Sequence, residues 1–218
     1  MTAPFAPTDR TTLRRKPERG GHDASTVYAI LDEAFVCHLA ITDQGGRPVV
    51  LPTTFVRVDD TLYVHGSPAS RLLRRTKSGI DICVTVTIVD ALVLARSAFH
   101  HSVNYRSVAV FATAHEVTDL AEKRLALHAL VEHLVPGRTA DCRPPTDQEL
   151  KSTTVLALDL REASAKARTG PPIDDKEDLL LDHWAGVVPL HGARGTAVPD
   201  GDYTLPPYLV AFTSVPRA

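Results

Sequence analysis

Short runs of apolar residues, most of them bounded by turn residues, follow one another along the chain. The first three are VCHLAIT, RPVVLPTTFVRV and TLYVHG, separated by the turns DQGG and DD. The later ones are IDICVTVTIV and ALVLARSA, joined near Asp90, then RSVAVFATAHEV and TTVLALDLREA. Short connections favour antiparallel pairing, and runs that are apolar on both faces are typical of a closed barrel with helices packed outside. The pattern therefore predicts a mainly β fold with peripheral helices.

Apolar residues recur with helical spacing in two segments among these strands. In DASTVYAILDEAF they fall on one helical face after a candidate N-cap, Asp23. The longest helix is predicted in TDLAEKRLALHALVEHL, with Thr118 as its N-cap and leucines along one stripe. A third helix, short and basic, is predicted in SPASRLLRRTKSG, which has a proline near its start and a glycine at its end.

The two ends of the chain lack these patterns. Residues 1–22 are polar and contain a basic cluster, and residues 1–12 have neither periodicity nor apolar anchors, so we expect a flexible N-terminal arm. The chain after Ser164 is rich in proline, glycine and aspartate, with one short helix predicted in DDKEDLLLDHW. We therefore divide the chain into the arm, a barrel domain at residues 23–195, and a C-terminal extension at residues 196–218.

Composition and charge exclude several classes of protein. The chain has 218 residues, a formal net charge of -2 and a pI of about 6.5, which argues against a nucleic-acid binder that relies on a basic field. It has no apolar run of about 18 residues, and its N-terminus lacks the apolar core of a secretory signal. The cysteines, Cys37, Cys83 and Cys142, are far apart and form no disulfide framework or metal motif. We expect a cytoplasmic protein that acts on neither nucleic acid nor membranes.

The stretch HHSVNYRSV, residues 100–108, places many hydrogen-bonding side chains between two apolar runs. On its own it predicts a turn with a polar face. His100 and His101 would point to opposite sides of a strand, and His128 and His133 would diverge on a helix. No metal site is therefore predicted.

The stretch HGSPASR, residues 65–71, joins a predicted strand end to a predicted helix start. The first amides of a helix lack partners, and the positive end of the helix dipole favours an anion there. The hydroxyls of Ser67 and Ser70 and the guanidinium of Arg71 add further donors. A capped surface helix with a solvated basic face has the same pattern, so both interpretations stay open.

Two features near the C-terminus offer contacts to a ligand. In an extended SAKARTG segment, Ser164, Lys166 and Arg168 share one face, and such a basic pair suits a phosphate. The alternative is a solvated strand end. Trp184, the only tryptophan, fits either the core or a planar ligand.

Several ordered blocks together resemble one known family. They are HGSPASRLL, ARSAFHHSVNYRSVAVFATAHEV, EKRLALHALVEHLVPGR, ELKSTTVLALDL, SAKARTGPPIDD and WAGVVPL. The family is the pyridoxamine 5'-phosphate oxidase-related flavin-binding split-barrel family, and the most similar branch contains the nitroimidazole-resistance reductase-like proteins. The resemblance covers roughly residues 15–195. It implies a six-stranded antiparallel split β-barrel, a homodimer, and FMN held in the groove between the subunits.

The resemblance also implies a set of FMN-binding residues. The phosphate would lie at the loop after the third strand, where its ligands would be Gly66, Ser67, Ser70 and Arg71. The flavin ring would lie against VVLPTTF, in contact with Pro52 and Thr53. Other residues of the same cleft would be Tyr105, Arg106 and Ser107. Residues reaching in from the partner subunit would be Lys166, Arg168 and Trp184.

The chain departs from true pyridoxamine-phosphate oxidases, because it lacks their C-terminal block with a paired arginine and histidine. Vitamin B6 oxidation is therefore not expected. By resemblance, His65 takes the place of an active-site histidine; a strand-end histidine that bonds its own loop is the alternative. We expect an FMN-dependent oxidoreductase acting on a small molecule. Two other classes stay open: a flavin carrier or sensor without turnover, and a haem-binding split barrel in which His65 or His101 ligates iron.

Overall fold

The computed structural model describes residues 5–67 and 79–214, and within them the chain forms ten strands and four α-helices. The strands are β1 Gly20–Gly21, β2 Val36–Thr42, β3 Pro48–Val58, β4 Thr61–Gly66, β5 Asp81–Leu94, β6 Ser102–Thr113, β7 His115–Glu116, β8 Thr154–Asp159, β9 Ala163–Arg168 and β10 Gly186–Pro189. The helices are α1 Ala24–Glu33, α2 Leu120–Leu134, α3 Asp147–Lys151 and α4 Pro207–Ser214. The short basic helix predicted in SPASRLLRRTKSG, with Ser70 and Arg71, lies outside the described residues.

The strands pair antiparallel in the order β1-β9-β6-β5-β2-β3-β4-β8-β7, and β10 adds to β5. Only Ala114 separates β6 from β7, so one continuous segment pairs with β5 at one end and with β8 at the other. This return closes the sheet into a barrel of β2, β3, β4, β5, β6–β7 and β8. The predicted mainly β, six-stranded antiparallel split barrel with peripheral helices is confirmed.

The split in the barrel lies in β3, which changes its partner midway. Residues Pro48 to Thr54 pair with β2, and residues Phe55 to Val58 pair with β4. Each half of the strand therefore belongs to a different part of the sheet.

The barrel interior is apolar, and α1 closes one end of it. Asp23 caps α1 by accepting a hydrogen bond from the Thr26 amide, as the sequence predicts. Val27, Ile30 and Leu31 are buried in the same cluster as Phe55. Truncating such a fully buried aromatic ring to alanine typically costs about 3–5 kcal/mol.

Helix α2 packs on the outside of the barrel. Its buried residues are Lys123, Ala126 and Leu130, whereas Leu120, expected in the apolar stripe, is 41% exposed. The predicted N-cap Thr118 is wrong by one residue, because it is the side chain of Asp119 that accepts from the Glu122 amide. No helix in the described ranges is long and apolar enough to cross a membrane.

Four elements differ from the sequence-based expectation. IDICVTVTIV and ALVLARSA form one strand, β5, because a bulge at Asp90 replaces the predicted turn. DDKEDLLLDHW contains only a single 3-10 turn, Asp178–Leu180. Strand β10 and helix α4 lie in the stretch that was expected to have little regular structure.

The described part of the N-terminal arm contacts the barrel. The arm's Thr8 and Arg10 both donate to the Glu162 carboxylate. Phe5 packs edge-on against Tyr28 of α1. Strand β1, at the end of the arm, pairs with β9.

Candidate functional site

One broad face of the sheet carries five of the predicted ligand-binding residues, namely Pro52, Tyr105, Ser107, Lys166 and Arg168. Strand pairing sets Tyr105 opposite Arg168, and Ser107 opposite both Lys166 and Thr87. Directly opposite residues point to the same side, with Cβ atoms about 4.5–5.5 Å apart. This side faces away from the barrel core, since the next residue of β6, Val108, points the other way and is buried in the core. We call this side of β9, β6, β5, β2 and β3 the open face.

The open face continues to Pro52 through residues that the sequence analysis did not single out. His38 lies opposite Pro52 on one side and opposite Thr85 on the other. His38 and Pro52 are exposed, and Thr85 is half-buried. From β9 to β3 the surface spans four interstrand spacings, or roughly 19 Å. That width is enough for an extended, flat ligand.

Arg168 lies opposite Tyr105 at the end of β9, and its positive charge is buried beside Asn104 without a carboxylate partner in the described chain. Its residue is 6% exposed, and its guanidinium donates to the side-chain oxygen of Asn104 and, at 3.2 Å, to the carbonyl of Pro171. Burial, and then the positive charge of Arg19, lower the pKa of Arg168. A buried cation surrounded by neutral oxygens and another cation favours an anionic ligand.

Arg106, by contrast, is fully engaged by two carboxylates. Its Nη2 lies 2.9 Å from Glu33 Oε1 and 2.7 Å from Asp90 Oδ1. These hydrogen bonds raise the pKa of Arg106. Arg106 therefore ties the end of α1 to the bulge in β5, and its charge is neutralised there rather than offered to the open face.

His65 lies at the end of β4, at the edge of the region covered by α2. It pairs with Val155, and the small gap beside it is lined by Ala126 and Leu130 of α2. Its buried Nδ1 has no hydrogen-bond partner among the described residues. Burial lowers the pKa of His65, so the neutral imidazole is favoured. An unpartnered buried ring nitrogen is suited to a ligand.

The remaining predicted residues lie apart from this group. Thr53 is on the opposite side of β3 from Pro52, and its hydroxyl donates to the Thr54 carbonyl. Trp184 is 68% exposed, and its ring packs against Gly186 at the start of β10. Gly66 ends β4, and the exposed Ser67 follows it. Ser70 and Arg71 lie outside the described residues.

A cleft of about 390 Å³ opens at the α1 end of the open face. Val36, Thr87 and Val89 form its floor, and the carboxylates of Glu33 and Asp90 lie at its side. The chain beyond β10 covers it, through Leu190 and Gly192. The stretch just after β10 therefore contributes to this end of the open face.

Exposed apolar side chains surround the polar residues of the open face. Pairing and alternation put on this side, with exposures between 37% and 56%, Val36, Val50, Val89, Leu92, Val103 and Val188. Exposed apolar residues gathered on one sheet face, rather than scattered, are typical of a surface that another molecule covers.

The residues that sequence reasoning missed carry a visible signal. In VCHLAIT and DICVTVTIV, every second residue is buried apart from the half-buried Ile88, and the alternate ones include His38, Thr85 and Thr87. Polar residues at alternate positions of paired strands fall on one face. The alternation was sufficient to find these residues once the pairing of β2 with β5 was known.

Comparison with known proteins supports one family. The family model described as Pyridoxamine 5'-phosphate oxidase matches residues 23–167. A search of curated proteins gave no match.

Among solved structures, the flavocytochrome Anf3 from Azotobacter vinelandii is 39% identical, with a TM-score of 0.87 over 95% of this chain and 98% of that one. The FAD and haem binding protein from Mycobacterium smegmatis is 36% identical, with a TM-score of 0.84 over 89% and 97%. A Bacteroides thetaiotaomicron protein proposed to act in 5-nitroimidazole resistance is 24% identical, with a TM-score of 0.56 over 68% and 86%, and supports the fold alone.

Proposed function

Since the chain belongs to the pyridoxamine 5'-phosphate oxidase family, we propose that it binds a flavin on the open face and a haem beside His65, as a flavocytochrome-type oxidoreductase. The observation that carries this proposal is similarity along nearly the whole chain. The two relatives named for a flavocytochrome and for FAD and haem binding are 39% and 36% identical and cover 95% and 89% of it. When bound, a flavin supplies two-electron and one-electron chemistry, and a haem supplies one-electron transfer.

FAD is the flavin that we propose, in place of the FMN implied by the wider family. The name of the M. smegmatis relative specifies FAD. The width of the open face, roughly 19 Å across five strands, suits a dinucleotide better than a mononucleotide.

The residues of the open face have distinct tasks in this proposal. Arg168 and Lys166 bind phosphate, because their charges have no carboxylate partner in the described residues. Tyr105 and Ser107, beside them, position the ligand through hydroxyl groups. Pro52 gives the other end of the face an apolar surface for a flat ring.

His65 is the residue that we propose as an axial ligand of the haem iron. Its neutral imidazole is the form that binds iron, and its Nδ1 is buried without a partner in the described chain. His101, the other histidine considered from the sequence, is exposed and hydrogen-bonds through Nδ1 to the Ser97 carbonyl, 3.0 Å away. His101 therefore serves as the control for His65 in the variant experiment.

A second copy of the chain is the occupant that we propose for the apolar rim of the open face. This rim consists of Val36, Val50, Val89, Leu92, Val103 and Val188. The rim surrounds the flavin-binding residues, so a homodimer would exclude water from the flavin. Burial of six exposed aliphatic side chains would also favour association.

We propose the cytoplasm as the location, because Cys37, Cys83 and Cys142 are all free thiols, which fits a reducing compartment.

Absorption spectra of the freshly purified, untagged protein test the proposal. We expect flavin bands together with a Soret band that shifts on reduction, and chromatography of the released flavin should identify FAD. A protein with neither chromophore after cofactor reconstitution would overturn the proposal. FMN in place of FAD would refute only the choice of flavin.

Variants test the haem ligand and the enzymatic role. His65→Ala should lose haem while retaining flavin, whereas His101→Ala and the surface variant His128→Ala should retain both. If haem is lost in His101→Ala but not in His65→Ala, the iron ligand is His101 rather than His65. Steady-state oxidation of a nicotinamide cofactor with a small-molecule acceptor distinguishes an oxidoreductase from a flavin carrier, which would show a single reduction without turnover.

A further inference from the structure

His100, Asp175 and Asp178 present one ligand atom each, all within 4.8 Å of one another. They come from two distant parts of the sequence: His100 ends the 3-10 turn Ala98–His100, Asp178 begins the turn Asp178–Leu180, and Asp175 precedes that turn. His100 Nε2 already lies 3.2 Å from Asp175 Oδ2. We propose that this cluster is a divalent metal site, separate from the flavin and haem.

The two segments that carry the ligands are joined by a neighbouring ion pair. The backbone amide and Nη1 of Arg96 both bind the Asp174 carboxylate at 2.9 Å. The Asp174 side chain is only 1% exposed. Ser97 accepts a hydrogen bond from the Phe99 amide and so caps the turn that bears His100. The ligands are therefore held close together by contacts outside the cluster.

The donor set matches a borderline divalent ion. Imidazole nitrogen binds Zn²⁺ at about 2.0–2.1 Å and carboxylate oxygen at about 2.0–2.2 Å, so ligand atoms around one ion lie up to about 4 Å apart. The 4.8 Å limit on their present separation leaves only a small inward movement. Two carboxylates and a neutral imidazole carry a charge of about −2, which balances the ion. His100 and Asp178 are half-buried and Asp175 is exposed, which leaves room for water as a further ligand.

A metal at this position would fasten the C-terminal part of the chain to the barrel. The aspartates precede β10, which pairs with β5, and Leu190 just beyond β10 covers the cleft at the open face. The ion would link this stretch to the start of β6 through His100. Its role is therefore structural, and its ligands are not those of any redox step.

Calorimetric titration of Zn²⁺ into the untagged, cofactor-loaded protein, freed of metal by a chelating resin, tests the site. We expect one saturable Zn²⁺ per chain in the wild type. The dissociation constant should rise roughly tenfold or more in His100→Ala and in Asp178→Asn. His183→Ala is the matched control, since this exposed histidine lies in the same stretch but outside the cluster, and its binding should not change.

Equal Zn²⁺ binding by the wild type and Asp178→Asn would overturn the site and leave His100 and Asp175 as a plain ion pair. Weakened binding in His183→Ala equal to that in Asp178→Asn would show adventitious surface binding, with the same conclusion. Because Asp178 is not buried, its variant should fold even if His100→Ala does not, and circular dichroism checks this.

Limited proteolysis tests whether the metal holds the C-terminal stretch against the barrel. Zn²⁺ should protect residues 173–190 from cleavage in the wild type and not in Asp178→Asn. Equal cleavage with and without Zn²⁺ would overturn the structural role.

Discussion

Arg168 donates a hydrogen bond through Nη1 to the side-chain oxygen of Asn104, and both residues are more than nine-tenths buried. Asn104 in turn donates to the carbonyl of Gly170 at 3.1 Å. Asn104, from the polar stretch at the start of β6, thus positions the guanidinium of Arg168 from the neighbouring strand β9. Every acceptor that the described structure gives Arg168 is neutral, so the charge itself stays uncompensated.

Replacing that charge should weaken flavin binding. A charge-assisted hydrogen bond contributes about 1.5–3 kcal/mol, and about 1.4 kcal/mol is tenfold in affinity. We therefore expect Arg168→Met to raise the flavin dissociation constant by roughly 10- to 100-fold, as measured by fluorescence titration of the apoprotein. Arg161→Met is the control, because Arg161 is exposed and paired with Asp159. A variant that loses stability but binds flavin as tightly as the wild type would give Arg168 a purely structural role.

A charge on the apolar rim should separate the proposed dimer. Val36→Glu would place a carboxylate within the interface, where it would be desolvated without a partner. We expect this variant to sediment as a monomer with reduced flavin content. Leu125→Glu makes the same change on α2, at a side chain with similar exposure (49% against 47%), and should leave sedimentation unaltered. A monomeric wild type that binds flavin fully would contradict the shared site.

The three thiols should react in the order of their accessibility. Cys142 is exposed, Cys83 is half-buried on the open face, and Cys37 is buried in the barrel. Burial raises the pKa of Cys37 to about 12 and also raises that of Cys83, so neither forms thiolate readily near pH 8. A disulfide reagent should therefore modify one thiol rapidly, a second slowly, and Cys37 only after unfolding. Cys142→Ser should abolish the rapid phase; its persistence would mean that the open face or barrel admits the reagent.

Acid should release the N-terminal arm. Hydrogen bonds from Arg10, and then Thr8, lower the pKa of Glu162 below its usual 4.5. A carboxylate with a lowered pKa stabilises the docked arm above about pH 4.5, and this contribution disappears as the pH falls through the lowered value. Hydrogen-exchange protection of residues 5–12 should fall over that range. Glu162→Gln should have weak protection at every pH, whereas a wild type whose arm is unprotected at pH 7 would show that the arm is not docked.

The sequence predicted the barrel because local patterns determine it. Alternation fixed the strands, and Asp23 marked the start of α1 correctly. The bulge at Asp90 was missed because an inserted residue that interrupts alternation looks, in one dimension, like a turn between two strands. The choice of Thr118 over Asp119 as a cap was an error of one residue, since both are good N-cap residues and the sequence does not show which has the extended backbone of a cap.

The site was less predictable because it depends on pairing between distant strands. Lys166 and Arg168 were recognised as a basic pair, but only the register of β9 with β6 brings them beside Tyr105 and Ser107. Arg106 looked equally available in the sequence, and its two carboxylate partners come from α1 and β5. The spacing of residues along one strand identified the basic side chains, but it did not show which residues of other elements they contact.

The change of partners within β3 has a consequence for the spacing of the two proposed cofactors. Pro52, on the flavin side, and Val56, under α2 near His65, are four residues apart on one strand, or about 14 Å at 3.4 Å per residue. The two regions are therefore connected by one continuous strand, β3, which fixes their spacing along the backbone. The separation of the proposed flavin and haem regions would then be set by the fold itself.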